Sequence, residues 1–121
     1  MLNLNPISFK EYKSIILEHP LDLRWFYWSV QKDRGMIYLD VVQNSCRVGV
    51  VGVLNADDIN CEILIDISNR RKGIGRQLIS ELQRKFGYPK FNVSKYNRDS
   101  LAFFRSLGLK EEKIGQFVQF F

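Results

Sequence analysis

The chain has 121 residues, a formal net charge of +5, 45% hydrophobic residues and one histidine. These are ordinary globular values, which exclude a disordered chain, and no apolar run is long enough for a membrane-spanning helix. A single histidine, His19, leaves no histidine-based metal cluster, and two cysteines are too few for a disulfide framework.

The length fits one domain over residues 1–121. Cys46 and Cys61 sit in apolar stretches and are expected to be buried, reduced thiols. The N-terminal MLNLNPISFKEYK lacks the basic-then-apolar order of a signal peptide. Together these point to the cytoplasm. The cations are scattered apart from residues 70–72, so a solvated surface accounts for the positive balance better than a nucleic-acid face does.

Residues 2–5 read as a short edge strand. Ser8 and Glu11 form a capping box, with Ile7 and Tyr12 placed for the accompanying hydrophobic staple. The helix they open is expected to run to about Glu18 and stop before Pro20. Asp22 is placed to cap a second helix through Trp25, Phe26, Tyr27 and Trp28 to about Gln31. Four consecutive aromatics cannot all face one core. Two or three are expected to seal the sheet, and the others to wall a groove or meet solvent.

Residues 36–43 and 47–54 are expected to be strands joined at Asn44-Ser45, with 55–58 a second polar turn. The third strand, 62–66, alternates. Ile63 and Ile65 face one side, and Glu62, Leu64 and Asp66 the other. A basic glycine-bearing turn follows, with Arg70, Arg71 and Lys72 ahead of Gly73-Ile74-Gly75. Then Ile74, Leu78, Ile79, Leu82 and Phe86 fall at helical spacing, and Gly87 and Pro89 mark the stop.

The turn suits an anion. A helix N-terminus presents unpaired N–H groups and partial positive charge. Gly73 and Gly75 lack a Cβ, so a ligand can approach the backbone, and the flanking arginines add charge-assisted hydrogen bonds. A phosphate or pyrophosphate fits these features. The nucleotide-hydrolase loop G-x-x-x-x-G-K-[ST] is absent, and the dinucleotide fingerprint would need glycine where Leu78 stands. The pattern present is R-x-x-G-x-G, at Arg70, Gly73 and Gly75.

This pattern, after an apolar strand and before an amphipathic helix, resembles the acetyl-CoA-binding motif of the GNAT N-acetyltransferase superfamily. A second segment supports it. Asn97, Ala102, Phe103, Phe104, Gly108 and Leu109 follow a strand near 91–94 and resemble the family's next conserved stretch in loose form. The resemblance is good over residues 62–110 and topological before that. It implies an α/β (α+β) fold: a mixed, mostly antiparallel central sheet, helices on both faces, and two splayed parallel central strands joined by a right-handed crossover. Residues 98–107 would form the next helix, and 109–121 one or two closing strands.

The resemblance implies an N-acetyltransferase moving an acetyl group from acetyl-CoA to a primary amine, with no metal. It places the acetyl-CoA contacts at Ile65, Asp66 and Ile67, at Arg70, Arg71, Lys72, Gly73, Ile74, Gly75 and Arg76, and at Asn97 and Phe104. Asn97 also reads as a helix N-cap. A backbone N–H of Ile65 or Asp66 would polarise the thioester carbonyl. Glu62, or else Asp66, would take the amine proton, since a carboxylate on a half-buried strand can act near neutral pH.

One residue departs from the family pattern. The tyrosine that commonly protonates the leaving thiolate would fall at Phe104, and phenylalanine cannot donate. Tyr96 or Ser94 would serve instead, or water, or the thiolate would leave unassisted. That departure keeps a non-catalytic acyl-CoA-binding module open as an alternative. Trp25-Phe26, with EILIDI before RRKGIG, resembles the subgroup that acetylates amino groups on nucleotide-linked sugars. A protein or peptide amine is the other acceptor considered. Partnership with a second copy of the chain is left open.

Overall fold

The computed structural model describes residues 2–66, 69–70 and 72–121. Ile67 and Arg71, both expected at the cofactor turn, lie outside the described residues, as do Met1 and Ser68.

The described residues form one seven-stranded sheet of order β1-β2-β3-β4-β5-β7-β6. Its strands are β1 (Asn3–Ile7), β2 (Ile37–Gln43), β3 (Cys46–Asn55), β4 (Ile59–Ile65), β5 (Lys90–Ser94), β6 (Glu111–Ile114) and β7 (Phe117–Phe120). Every neighbouring pair is antiparallel except β4 and β5, which run parallel. Three α-helices cover it: α1 (Phe9–Leu17), α2 (Ile74–Phe86) and α3 (Arg98–Arg105). This is the mixed, mostly antiparallel architecture expected from the sequence.

The helices divide between the faces. Tyr12, Ile15 and Ile16 of α1 pack with Phe26, Val30, Tyr38, Val50 and Leu64. On the other face, Ile74, Leu78, Ile79 and Leu82 of α2 join Leu101 and Phe104 of α3 over Leu39, Val41, Val51 and Val53. β3 is therefore covered on both sides, which explains its nearly unbroken apolar run. α1 opens on the expected cap, the Glu11 N–H donating to Ser8 Oγ at 3.1 Å. α2 ends at Gly87, whose φ of +69° provides the left-handed stop.

Two expectations need correction. The aromatic stretch forms no second α-helix but two 3-10 turns, Leu23–Trp25 and Trp28–Val30. Asp22 does not cap them, because its carboxylate accepts instead from Arg70 Nη2 at 2.8 Å. Cys46 is exposed, since it opens β3 straight after the tight Asn44-Ser45 hairpin, where both residues have positive φ. Cys61 is buried as expected. Burial, then the neighbouring Glu62, pushes its thiol up to about 12, so it stays protonated and unreactive.

The parallel pair positions the site. β4 and β5 are in register at Asn60↔Lys90 and Cys61↔Phe91, and their described pairing stops there. Beyond that point β4 continues along β3 to Gly49↔Ile65, while β5 follows β7 to Ser94↔Phe117. A gap therefore opens between the C-terminal halves of the two central strands.

Candidate functional site

Backbone parity decides what faces the gap. The Asp66 N–H donates to the Val48 carbonyl at 2.9 Å, so the amides of Glu62, Leu64 and Asp66 point toward β3. Those of Ile63 and Ile65 point the other way, toward the splay. Of the two main-chain donors expected from the sequence, Asp66 is thus committed within the sheet, and Ile65 faces the open side. The Ile65 carbonyl lies on the same side and accepts from Arg70 Nε at 2.9 Å. Arg70 spans from there to Asp22. Its guanidinium ties the end of β4 to the aromatic turn, a structural use that the motif reading did not anticipate.

The two glycines of the turn differ. Gly73 caps α2 with a φ of +79°, and a Cβ built there would meet nothing within 4 Å. At Gly75 a Cβ would lie 2.9 Å from the Phe103 ring, so this glycine is needed for α2 to approach α3. Ligand access to the backbone is therefore a property of Gly73. Ile74 is buried in the core and offers a ligand only its main chain. A cavity of about 510 Å³ runs along the first turns of α2, lined by Leu2, Gly73, Arg76, Gln77, Ser80 and Glu81, the last paired with Arg84. Lys72 and Arg76 are exposed beside it. An open left-handed cap, the first N–H groups of a helix, and two cations without an acid partner among the described residues are the features that a pyrophosphate site requires.

On the α1 side of β4, both carboxylates are held by residues that the sequence reading did not assign to them. Glu62 Oε1 accepts from the Tyr12 hydroxyl, and Oε2 from the Ser29 hydroxyl, each at 2.6 Å. Arg34 Nη2 lies 3.3 Å from Ser29 Oγ and 3.5 Å from Glu62 Oε2. Burial, then the charge of Glu62, raises the Tyr12 phenol well above its usual range, which keeps it a donor. Gly52 makes room, because a Cβ there would lie 2.8 Å from the Tyr12 hydroxyl and 3.1 Å from Glu62 Oε1.

Asp66 meets His19, whose Nε2 contacts Asp66 Oδ1 while Nδ1–H donates to the Ile15 carbonyl at 2.8 Å. Partial burial opposes charge on His19. The Ile15 carbonyl and the Asp66 carboxylate outweigh it, and the pKa is raised. The folded state then holds a proton that the unfolded chain releases above about pH 6.5. Stability from this pair is expected to be full below that pH and to be lost as pH rises through the folded-state value. Denaturant unfolding across this range checks it: the loss should be present in the wild type and absent in His19→Ala.

The remaining expected residues lie around β5 and α3. Asn97 caps α3, its side-chain oxygen accepting from the Ser100 N–H at 3.3 Å. Tyr96 is 64% exposed, with Lys95 Nζ 5.1 Å from its ring centroid. Phe104 is enclosed at 4% exposure, stacked on Phe120 with centroids 5.2 Å apart and flanked by Phe91 and Phe103. Its ring is part of the core. Phe104→Tyr is therefore expected to cost about 1–3 kcal/mol of stability, from a buried hydroxyl without a partner. A melting temperature and a turnover number on that variant should show loss of the first with no gain in the second.

Of the aromatic stretch, Phe26 is buried, Trp25 is partly covered, and Tyr27 and Trp28 are exposed as an edge-to-face pair 5.3 Å apart. Among the described residues no helix is long and apolar enough to cross a membrane.

A family model described as "Acetyltransferase (GNAT) family" matches residues 2–109. No curated protein matches the chain. Solved structures share the fold at low identity. An acetyltransferase from Thermus thermophilus superposes with a TM-score of 0.75 at 16% identity, covering 99% of this chain and 95% of that one. The PaiA N-acetyltransferase of Thermoplasma acidophilum, in complex with coenzyme A, gives 0.65 at 14%, covering 99% and 97%. An aminoglycoside acetyltransferase in complex with coenzyme A and kanamycin gives 0.70 at 12%, covering 98% and 94%.

Proposed function

We propose a working mechanism on one premise: the chain belongs to the GNAT acetyltransferase family. It acts as an acetyl-CoA-dependent N-acetyltransferase, and acetyl-CoA supplies an electrophilic thioester carbonyl. The observation that carries this reading is the β4–β5 splay, with the Ile65 N–H turned into it and the open cap at Gly73 following β4 at the start of α2. The α2 N-terminus, with Lys72 and Arg76, holds the pyrophosphate. The Ile65 amide donates to the thioester oxygen, as an oxyanion-hole group does.

Glu62 relays the amine proton. Three of its roughly four acceptor positions face Tyr12, Ser29 and Arg34, which leaves one for water. Its side chain is 22% exposed, so water can reach it. Asp66 is the second candidate. It is held by His19 and is nearer along β4 to Ile65. Phe104 is enclosed, so the thiolate leaves without a tyrosine at that position. The thiol is acidic enough for this, with a reference pKa of about 8.5.

The acceptor is a small primary amine. A nucleotide-linked amino sugar is the specific proposal. It rests on the Trp25-Phe26 pattern and on the exposed Tyr27 and Trp28 rings, which can stack on a sugar or base face. Thiol release from acetyl-CoA, measured over amino sugars, nucleotide-linked amino sugars, polyamines and peptide amines, tests both levels. Turnover on the amino-sugar nucleotides supports the specific acceptor, and turnover confined to another amine corrects it. Acetyl-CoA binding with no turnover on any amine would favour a non-catalytic acyl-CoA-binding module.

A further inference from the structure

Between α3 and the β6–β7 hairpin lies a cavity of about 460 Å³, lined by none of the residues assigned above to acetyl transfer. Leu101 and Val118, both buried, give it an apolar floor. Its rim is cationic, with Lys95 and Arg98 at the start of α3, Arg105 at its end and Lys113 on β6. Glu111 forks onto Arg105, with Nε to Oε1 and Nη2 to Oε2 both 3.2 Å, which pins that guanidinium against β6. The Lys95 amide donates to the Gln116 carbonyl at 2.9 Å and fastens the loop to the hairpin. Lys95, Arg98 and Lys113 have no acid partner among the described residues.

The cavity faces away from the cofactor turn. Arg98, Leu101 and Arg105 share one side of α3, whereas Phe103, which meets Gly75 of α2, projects from the opposite side. Three unpaired cations around one volume focus a positive potential there. An apolar floor under a polar rim is the usual form of a small-molecule site. The cations ring a cavity rather than tracking a line, which argues against a nucleic-acid strand.

We infer that this cavity is a second anion site, taking a small molecule that carries a compact dianionic group such as a diphosphate. The inference goes beyond the acetyl-transfer reading and does not rest on it. The test is calorimetric titration of inorganic pyrophosphate into the wild type, the Arg98→Ala/Lys113→Ala variant and the Lys72→Ala/Arg76→Ala variant. All four side chains are exposed, so the folds should be intact, and circular dichroism verifies this. One saturable event should weaken about tenfold or more in the first variant, from loss of two charge-assisted contacts, and that same event should survive in the second. Every wild-type event unchanged in Arg98→Ala/Lys113→Ala, or complete loss in Lys72→Ala/Arg76→Ala, overturns the site. So does an absence of wild-type binding. A short oligonucleotide that binds more tightly than pyrophosphate, and depends on Arg98 and Lys113, would reassign the cavity to a nucleic-acid surface.

Discussion

Gly73→Val is expected to lower acetyl-CoA affinity about tenfold or more, a loss of roughly 1.4 kcal/mol or greater. Two effects add. The φ of +79° is strongly disfavoured for a β-branched residue, so the cap must shift and carry the first amides of α2 with it. The new side chain also projects into the open space beside the cap, where nothing lies within 4 Å of a Cβ. Gly73→Asn separates the two effects, because asparagine tolerates the left-handed region but still adds a side chain. Calorimetry should show weakened binding in both variants. Loss of folding stability should be confined largely to the valine. Unchanged affinity in Gly73→Val would remove the turn as the pyrophosphate site.

The second large effect is expected at Glu62. Glu62→Gln should reduce kcat about 10²-fold near neutral pH, the lower end of what a positioned general base contributes. The fold should persist. The glutamine oxygen can still accept from Tyr12, and its amide group can donate to Ser29 Oγ, which replaces both short hydrogen bonds. Glu62→Ala should instead lose stability, because it leaves the enclosed Tyr12 and Ser29 hydroxyls without their acceptor. A pH–rate profile on Glu62→Gln that matches the wild type, with the same kcat, would move the proton to Asp66 or to water. Asp66→Asn would then be the informative variant.

Sequence-local features were legible. The N-cap at Ser8, the alternation along β4, the helical stripe from Ile74 and the left-handed stop at Gly87 each depend on neighbours within a few positions, and each appears in the structure. The paired motifs at 70–75 and 97–109 carried the family assignment because their order and spacing are restrictive. The polar partners of the carboxylates were not legible. Tyr12 lies 50 residues from Glu62, and His19 lies 47 from Asp66. Only the packing of α1 over β4 brings them together. Tyr12 read as part of a helix staple, and nothing local marks it as a hydrogen-bond donor to β4.

His19 offered a weak signal. A lone histidine just past a helix C-terminus is favoured there when protonated, but its acid partner is set by tertiary contact. Gly75 and Arg70 show the converse. Both fit a ligand motif by sequence, yet one makes room for Phe103 and the other bridges Ile65 and Asp22. A motif residue can thus be required by the fold that presents the site rather than by the ligand.

The most direct test of the central claim is a titration of acetyl-CoA into isotopically labelled protein, followed through its backbone amide resonances. The docking geometry predicts that the largest shifts fall on Ile65 at the splay and on Gly73, Ile74 and Gly75 at the α2 N-terminus. Saturable shifts that leave those four amides unmoved and appear elsewhere on the sheet would contradict it.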